Sequence, residues 1–172
     1  HRDLHRVDRR QRQMCIRDSF NPIVSILFFL QKELSKKDLC LFISIQITAA
    51  ILGTIFANYI FGLSIVEISS NIRSGTNIYI SEVFASFGLL MVILLSKVGG
   101  KNIVAFNVGI YITAAIIFTS SASFANPAVS IARIFTESFA GINPSTVIFF
   151  IGSQVIGMFG AYFLYNRLFK TK

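Results

Sequence analysis

The sequence predicts an all-α integral membrane protein, a helical bundle built as an inverted repeat around two half-length, re-entrant helices. Three observations carry this expectation. The 172 residues are 53% apolar and only 14% charged, with a mean hydropathy of +0.66, a membrane composition rather than a soluble one. Second, Ser123-Phe124-Ala125-Asn126-Pro127-Ala128-Val129-Ser130-Ile131-Ala132 sets a helix start inside apolar flanks. Asn is a strong N-cap, and Pro at the first helical position has no N–H to leave unpaired. Backbone broken at membrane depth is tolerated only against protein or a water-filled path. Third, the stretch has a twin, Ser19-Phe20-Asn21-Pro22-Ile23-Val24-Ser25-Ile26, and Phe42-Ile43-Ser44-Ile45-Gln46 echoes Phe150-Ile151-Gly152-Ser153-Gln154. The Asn pair is 105 residues apart and the Gln pair 108. Interrupted apolar segments at matching places in two halves point to a repeat-built transporter or channel with its site at the repeat interface.

The elements follow in order. Residues 1–18 hold six Arg and three Asp but no Lys, whereas the remaining 154 residues hold seven Lys and three Arg. This run has no apolar core and is no signal peptide. A basic nucleic-acid arm is one reading. The favoured one is a non-native leader, because residues 10–19 resemble translated adapter sequence; no nucleic-acid partner is expected. His1, His5 and Cys15 fall inside it and are assigned no role. Residues 19–38 then form the end of the first repeat, a loop and a half-helix. Pro22 to Leu30 is nine residues, roughly 13 Å of helix against a ~30 Å hydrocarbon core. It enters a membrane without crossing it. Leu39 to Leu63 is a span of 25 uncharged residues, opened by Cys40, which reads as a small hydrophobe.

Residues 64–77 are a polar loop with Glu67 and Arg73. Residues 78–172 form the second repeat. Ile78 to Leu95 spans, Lys97 to Lys101 turns, and Ile103 to Phe118 spans again. Pro127 to Phe135 is the second half-helix, and Thr146 to Tyr165 the last span. Four spans and two half-spans result. Lys32, Lys36, Lys37, Lys97, Lys101, Arg167, Lys170 and Lys172 then share one side and Arg73 and Arg133 the other, in keeping with the positive-inside rule. The half-helices thereby come in from opposite faces with their N-termini together. Gly53, Gly62, Gly88, Gly109, Gly152, Gly157 and Gly160 read as close helix contacts. The 18 Phe residues read as lipid and core filling.

Paired Asn-Pro half-helices of opposite orientation resemble the aquaporin (major intrinsic protein) family. Asn126-Pro127-Ala128 matches that family's motif fully, and Asn21-Pro22-Ile23 departs from it in the third residue. Ser81-Glu82-Val83-Phe84-Ala85-Ser86-Phe87-Gly88 looks like the Glu-bearing start of the family's fourth span. The resemblance covers residues 19–168 and implies six spans, of which the first two would precede Asn21, so the chain reads as N-terminally truncated. The pattern around Asn126, with Tyr111-Ile112-Thr113-Ala114-Ala115 upstream, is similar to a bacterial subgroup found beside arsenic-resistance genes.

The resemblance implies a passive channel for small uncharged solutes in the bacterial cytoplasmic membrane, and a tetramer. Asn21 and Asn126 would offer amide N–H groups to a passing oxygen while capping their helices. The positive half-helix ends would repel cations. A purely capping role for the two Asn is the plainer alternative. The family's filter maps onto Ala114, Ser123 and Val129, with Val129 where Arg is usual. Small, uncharged residues there imply a wider opening for polyols, urea or neutral metalloid acids, unless the second-span member is large. Arg133 is expected to pair with Glu137 at i+4 on the rim rather than to reach back toward Val129. Glu82 is the one acid within a span. It is expected to accept bonds from loop backbone, although a proton-coupled carrier would use it as a relay. A membrane anchor is the remaining class. With two Cys and no metal spacing, phosphate loop or paired nucleophile and base, no metal, cofactor or enzyme activity is expected.

Overall fold

A computed structural model describes residues 20–97 and 100–169. The leader expected over residues 1–18 lies outside the described residues. Six α-helices occur among them. α1 (Pro22–Leu30) is capped by Asn21, whose side chain accepts from the Ile23 N–H at 3.1 Å. Lys32, at φ +61°, turns the chain back. α2 (Lys36–Ile60) is capped by Ser35, which accepts from the Asp38 N–H, and Asp38 itself suits the positive helix end. α3 (Thr76–Ser96) and α4 (Lys101–Phe118) follow. α5 (Pro127–Ala132) continues as a single 3-10 turn, Arg133–Phe135, and α6 (Pro144–Phe169) closes the chain.

Three of these helices, α2, α3 and α6, are long and apolar enough to cross a membrane. Four were expected. α4 covers the fourth, expected over Ile103 to Phe118, and begins slightly before it at Lys101, but its 18 residues are fewer than in any of the other three. The chain is an integral membrane protein, and α2 has the reversed polarity this requires. Its buried residues are Gln46 and Asn58, while Leu41, Ile45, Leu52 and Phe56 are exposed.

α1 lies in a core with α3 and α6. Ile23, Val24, Leu27 and Phe28 meet Leu89, Leu90, Ile93 and Leu94 of α3 and Met158 and Ala161 of α6. A smaller cluster gathers Phe124, Ile142, Val147 and Phe150. At one end of the bundle Lys97 Nζ donates to Glu33 and Gln31, each at 2.9 Å, and sits 4.4 Å from the Phe28 ring centroid. At the other end the 61–75 and 133–143 loops are laced together by Ser69 N–H to Ile134 O and Asn143 N–H to Asn71 O, and Asn58 of α2 donates from Nδ2 to Phe135 O. α1 therefore runs from the middle of the bundle toward the Lys97 end, and α5 from the middle toward the Arg73 end.

α3 and α6 approach most closely at Gly157. A Cβ there would meet Val83 O at 2.4 Å and Phe87 N at 2.9 Å, both backbone. Neither atom can swing away, so Gly157→Ala must push the helices apart, at about 1–3 kcal/mol. The expected result is a thermal midpoint in detergent lowered by roughly 3–10 °C, with Gly152→Ala unchanged within about 2 °C because its Cβ position is open. Equal midpoints for the two variants would refute the contact. Gly88 and Gly160 also face neighbours, Tyr111 and Phe87. The expected contacts at Gly53, Gly109 and Gly152 are absent among the described residues, and Gly62 serves a turn at φ +66° instead. Small residues on an outward face contact nothing within the bundle, which residue type alone does not reveal.

Candidate functional site: two half-helices head to head

Each half-helix starts with an Asn that does two jobs. Asn21 Oδ1 caps α1, and its Nδ2 donates to Ala125 O at 2.7 Å. Asn126 Oδ1 accepts from the Ala128 and Val129 N–H groups at 2.9 and 3.4 Å, and its Nδ2 donates to Phe20 O at 3.0 Å. Each amide thus holds its own helix and grips the backbone residue just before the other Asn. A terminal amide carries two N–H donors and a two-lone-pair oxygen, so one Asn serves cap and crosslink together. The N-termini of α1 and α5 abut at this junction, with Pro22 and Pro127 sparing each first turn an unpaired N–H.

A second reciprocal pattern explains the paired Gln residues. Gln46 Nε2 donates to Ser25 Oγ at 2.9 Å, and Ser25 Oγ donates to Asn21 O at 3.4 Å. Gln154 Nε2 donates to Ser130 Oγ at 2.9 Å, and Ser130 Oγ to Asn126 O at 3.0 Å. The span that follows each half-helix holds it through a Ser one turn past its Asn. Sequence reasoning named the Asn and Gln residues but passed over Ser25 and Ser130. Their signal was present, because both Ser stand four residues after an Asn in the twin segments.

Glu82 is fully buried on α3. Its Oε1 accepts from the Ala125 N–H and from Gln154 Nε2, the latter at 2.8 Å. Ala125 is therefore held at both ends, by Glu82 on its N–H and Asn21 on its C=O. It needs to be, because Ala122, Ser123 and Ala125 have φ of +59°, +45° and +43°. Left-handed backbone at a non-glycine residue costs about 1–2 kcal/mol and persists where surroundings dictate it.

Of the filter residues implied by resemblance, Ser123 is buried in this strained loop and Val129 is half-buried on α5. Ala114 is on an exposed face of α4. The expected Arg133–Glu137 pair does not form. α5 ends at Ala132 and Thr136 is extended (φ −143°, ψ 126°), so the two side chains share no helical face. Glu137 instead accepts from the Ser70 N–H and hydroxyl, which hold its carboxyl below the usual carboxylate range. The Arg133 guanidinium carbon lies 4.1 Å from the Phe124 ring centroid, and that of Arg73 lies 5.2 Å from it. Burial pulls Arg133 below the ordinary arginine value, nearby Arg73 pulls the same way, and Glu82 opposes both. No group of three or more His, Cys, Asp or Glu placed to hold a metal occurs among the described residues.

The chain is 41% identical over 138 residues to the aquaglyceroporin AqpS of Rhizobium meliloti (strain 1021). That alignment covers 80% of this chain and 59% of the relative, so the chain spans about three fifths of the length of the protein it matches. No family model matches the chain, and no solved structure matches it.

Proposed function

The chain belongs to the aquaporin (major intrinsic protein) family, and on that premise we propose that it forms the half-helix junction of a passive channel for small uncharged solutes. The reciprocal Asn21–Ala125 and Asn126–Phe20 hydrogen bonds carry the reading. They fix two amides at one level of the bundle without any charged group. Asn126 Nδ2 gives one N–H to Phe20, and its second can serve a solute oxygen. A neutral hydroxyl exchanges water for such a donor at little cost, whereas an ion forfeits its hydration. Water and glycerol-type solutes suit this chemistry. Ala114, Ser123 and Val129, small and uncharged, suit a filter wide enough for polyols, urea or neutral metalloid acids. The bacterial cytoplasmic membrane and a tetrameric assembly complete the proposal.

The test is osmotic swelling of proteoliposomes holding the full-length protein. Glycerol uptake is expected to need no gradient of ions and to rise linearly with concentration. Saturable uptake that collapses with a protonophore would replace the channel by a carrier working through Glu82.

A further inference from the structure

We propose that Arg73 and Arg133 form a cationic collar at the mouth on the Arg73 side, a second selectivity element that rejects cations before they reach the Asn pair. The proposal rests on the channel reading. Arg133 follows Val129 by four residues, so it lies one turn farther out along the same side of the half-helix. Its guanidinium is held not by an acid but by Phe124, two residues before Asn126. The ring is itself fixed, 5.1 Å from that of Phe150, within the cluster of Ile142 and Val147.

Arg73 reaches the same ring from the 61–75 loop. Its Nε donates to Gly141 O at 2.9 Å and its NH2 group to Phe139 O at 2.5 Å. Both acceptors are neutral carbonyls. Among the described residues no carboxylate forms an ion pair with either guanidinium, and no protein acceptor takes an Arg133 N–H. Glu137, four residues along, is occupied by Ser70. Two like charges have thus been brought to one aromatic ring with no acid paired to either; buried Glu82 acts on them only at a distance, its Oε1 taken by the Ala125 N–H and Gln154. A structural role would be served better by an ion pair or a neutral side chain. Guanidinium charge survives partial burial, and its planar face suits an aromatic ring. At an effective dielectric near 20, a monovalent ion passing ~6 Å from one guanidinium shifts in population by roughly a hundredfold, and salt reduces this to about tenfold. A neutral polyol feels no such shift.

The experiment compares Arg133→Gln, Arg133→Lys and Arg73→Gln with wild type in proteoliposomes of the full-length protein, measuring glycerol swelling and uptake of methylammonium. Arg133→Gln is expected to raise methylammonium uptake about tenfold with glycerol uptake within twofold, Arg73→Gln to raise it less, and Arg133→Lys to keep the cation out. Methylammonium excluded equally by all four proteins would overturn the collar while leaving the channel reading intact. Equal leakage from Arg133→Lys and Arg133→Gln would overturn it too, because shape rather than charge would then matter. Absence of glycerol uptake by wild type would overturn both readings.

Discussion

Asn126→Asp should cut glycerol permeation by about tenfold or more and let monovalent cations leak. The substitution changes one atom type and spares the cap, since a carboxylate accepts from the Ala128 and Val129 N–H groups as the amide oxygen does. What it removes is the donor. The contact with Phe20 O at 3.0 Å becomes two oxygens facing each other with no hydrogen between them. An acceptor left in that position costs about 1–3 kcal/mol, and 1.4 kcal/mol already corresponds to a factor of ten. The half-helices must then separate or the carboxylate must swing into the path of the solute. Either way a negative charge replaces a neutral donor where two positive helix ends meet, and the barrier to cations falls. Stopped-flow swelling and methylammonium uptake measure the two effects. Unchanged glycerol flux in a folded Asn126→Asp protein would mean that no solute passes this junction.

Much of this site was legible because its signals are local and occur twice. A lone Asn-Pro is a helix start like any other. Two of them, in apolar flanks and followed at similar distance by Gln, define a repeat and place the half-helices head to head before any contact is known. Glu82 stood out for a related reason, as a charge where its neighbours have none. The side chains that join these features were less visible. Ser25 and Ser130 matter only because Gln46 and Gln154 arrive from other helices, and small hydroxyls are common in bilayer helices. Arg133 was misread because i+4 pairing presumes a helix through residue 137, whereas the chain leaves α5 at Ala132. α4 ended where its apolar run ended, at Phe118, and began just ahead of it at Lys101, after a glycine at positive φ.

Glu82→Leu should be the most destabilising substitution in the site, and comparing it with Glu82→Gln separates a structural acid from a proton relay. Leucine nearly fills the volume but strands two buried donors, the Ala125 N–H and Gln154 Nε2. At about 1–3 kcal/mol for each unsatisfied group, the loss is roughly 2–6 kcal/mol, a thermal midpoint in detergent lower by about 5–15 °C. Damage should spread to the junction. Ala125 holds φ +43° while gripped at both ends, and once released it can relax and draw its carbonyl away from Asn21. Glutamine behaves differently, because its amide oxygen can still accept from Ala125 or Gln154. Glu82→Gln should therefore melt between wild type and Leu and retain most glycerol uptake. A relay predicts the opposite order, since Gln cannot carry a proton and would be as inactive as Leu whatever its stability. Activity that follows the thermal midpoint across the three proteins fits an acid that shapes the loop; activity lost in Gln at near-normal stability would return Glu82 to a role in proton-coupled transport.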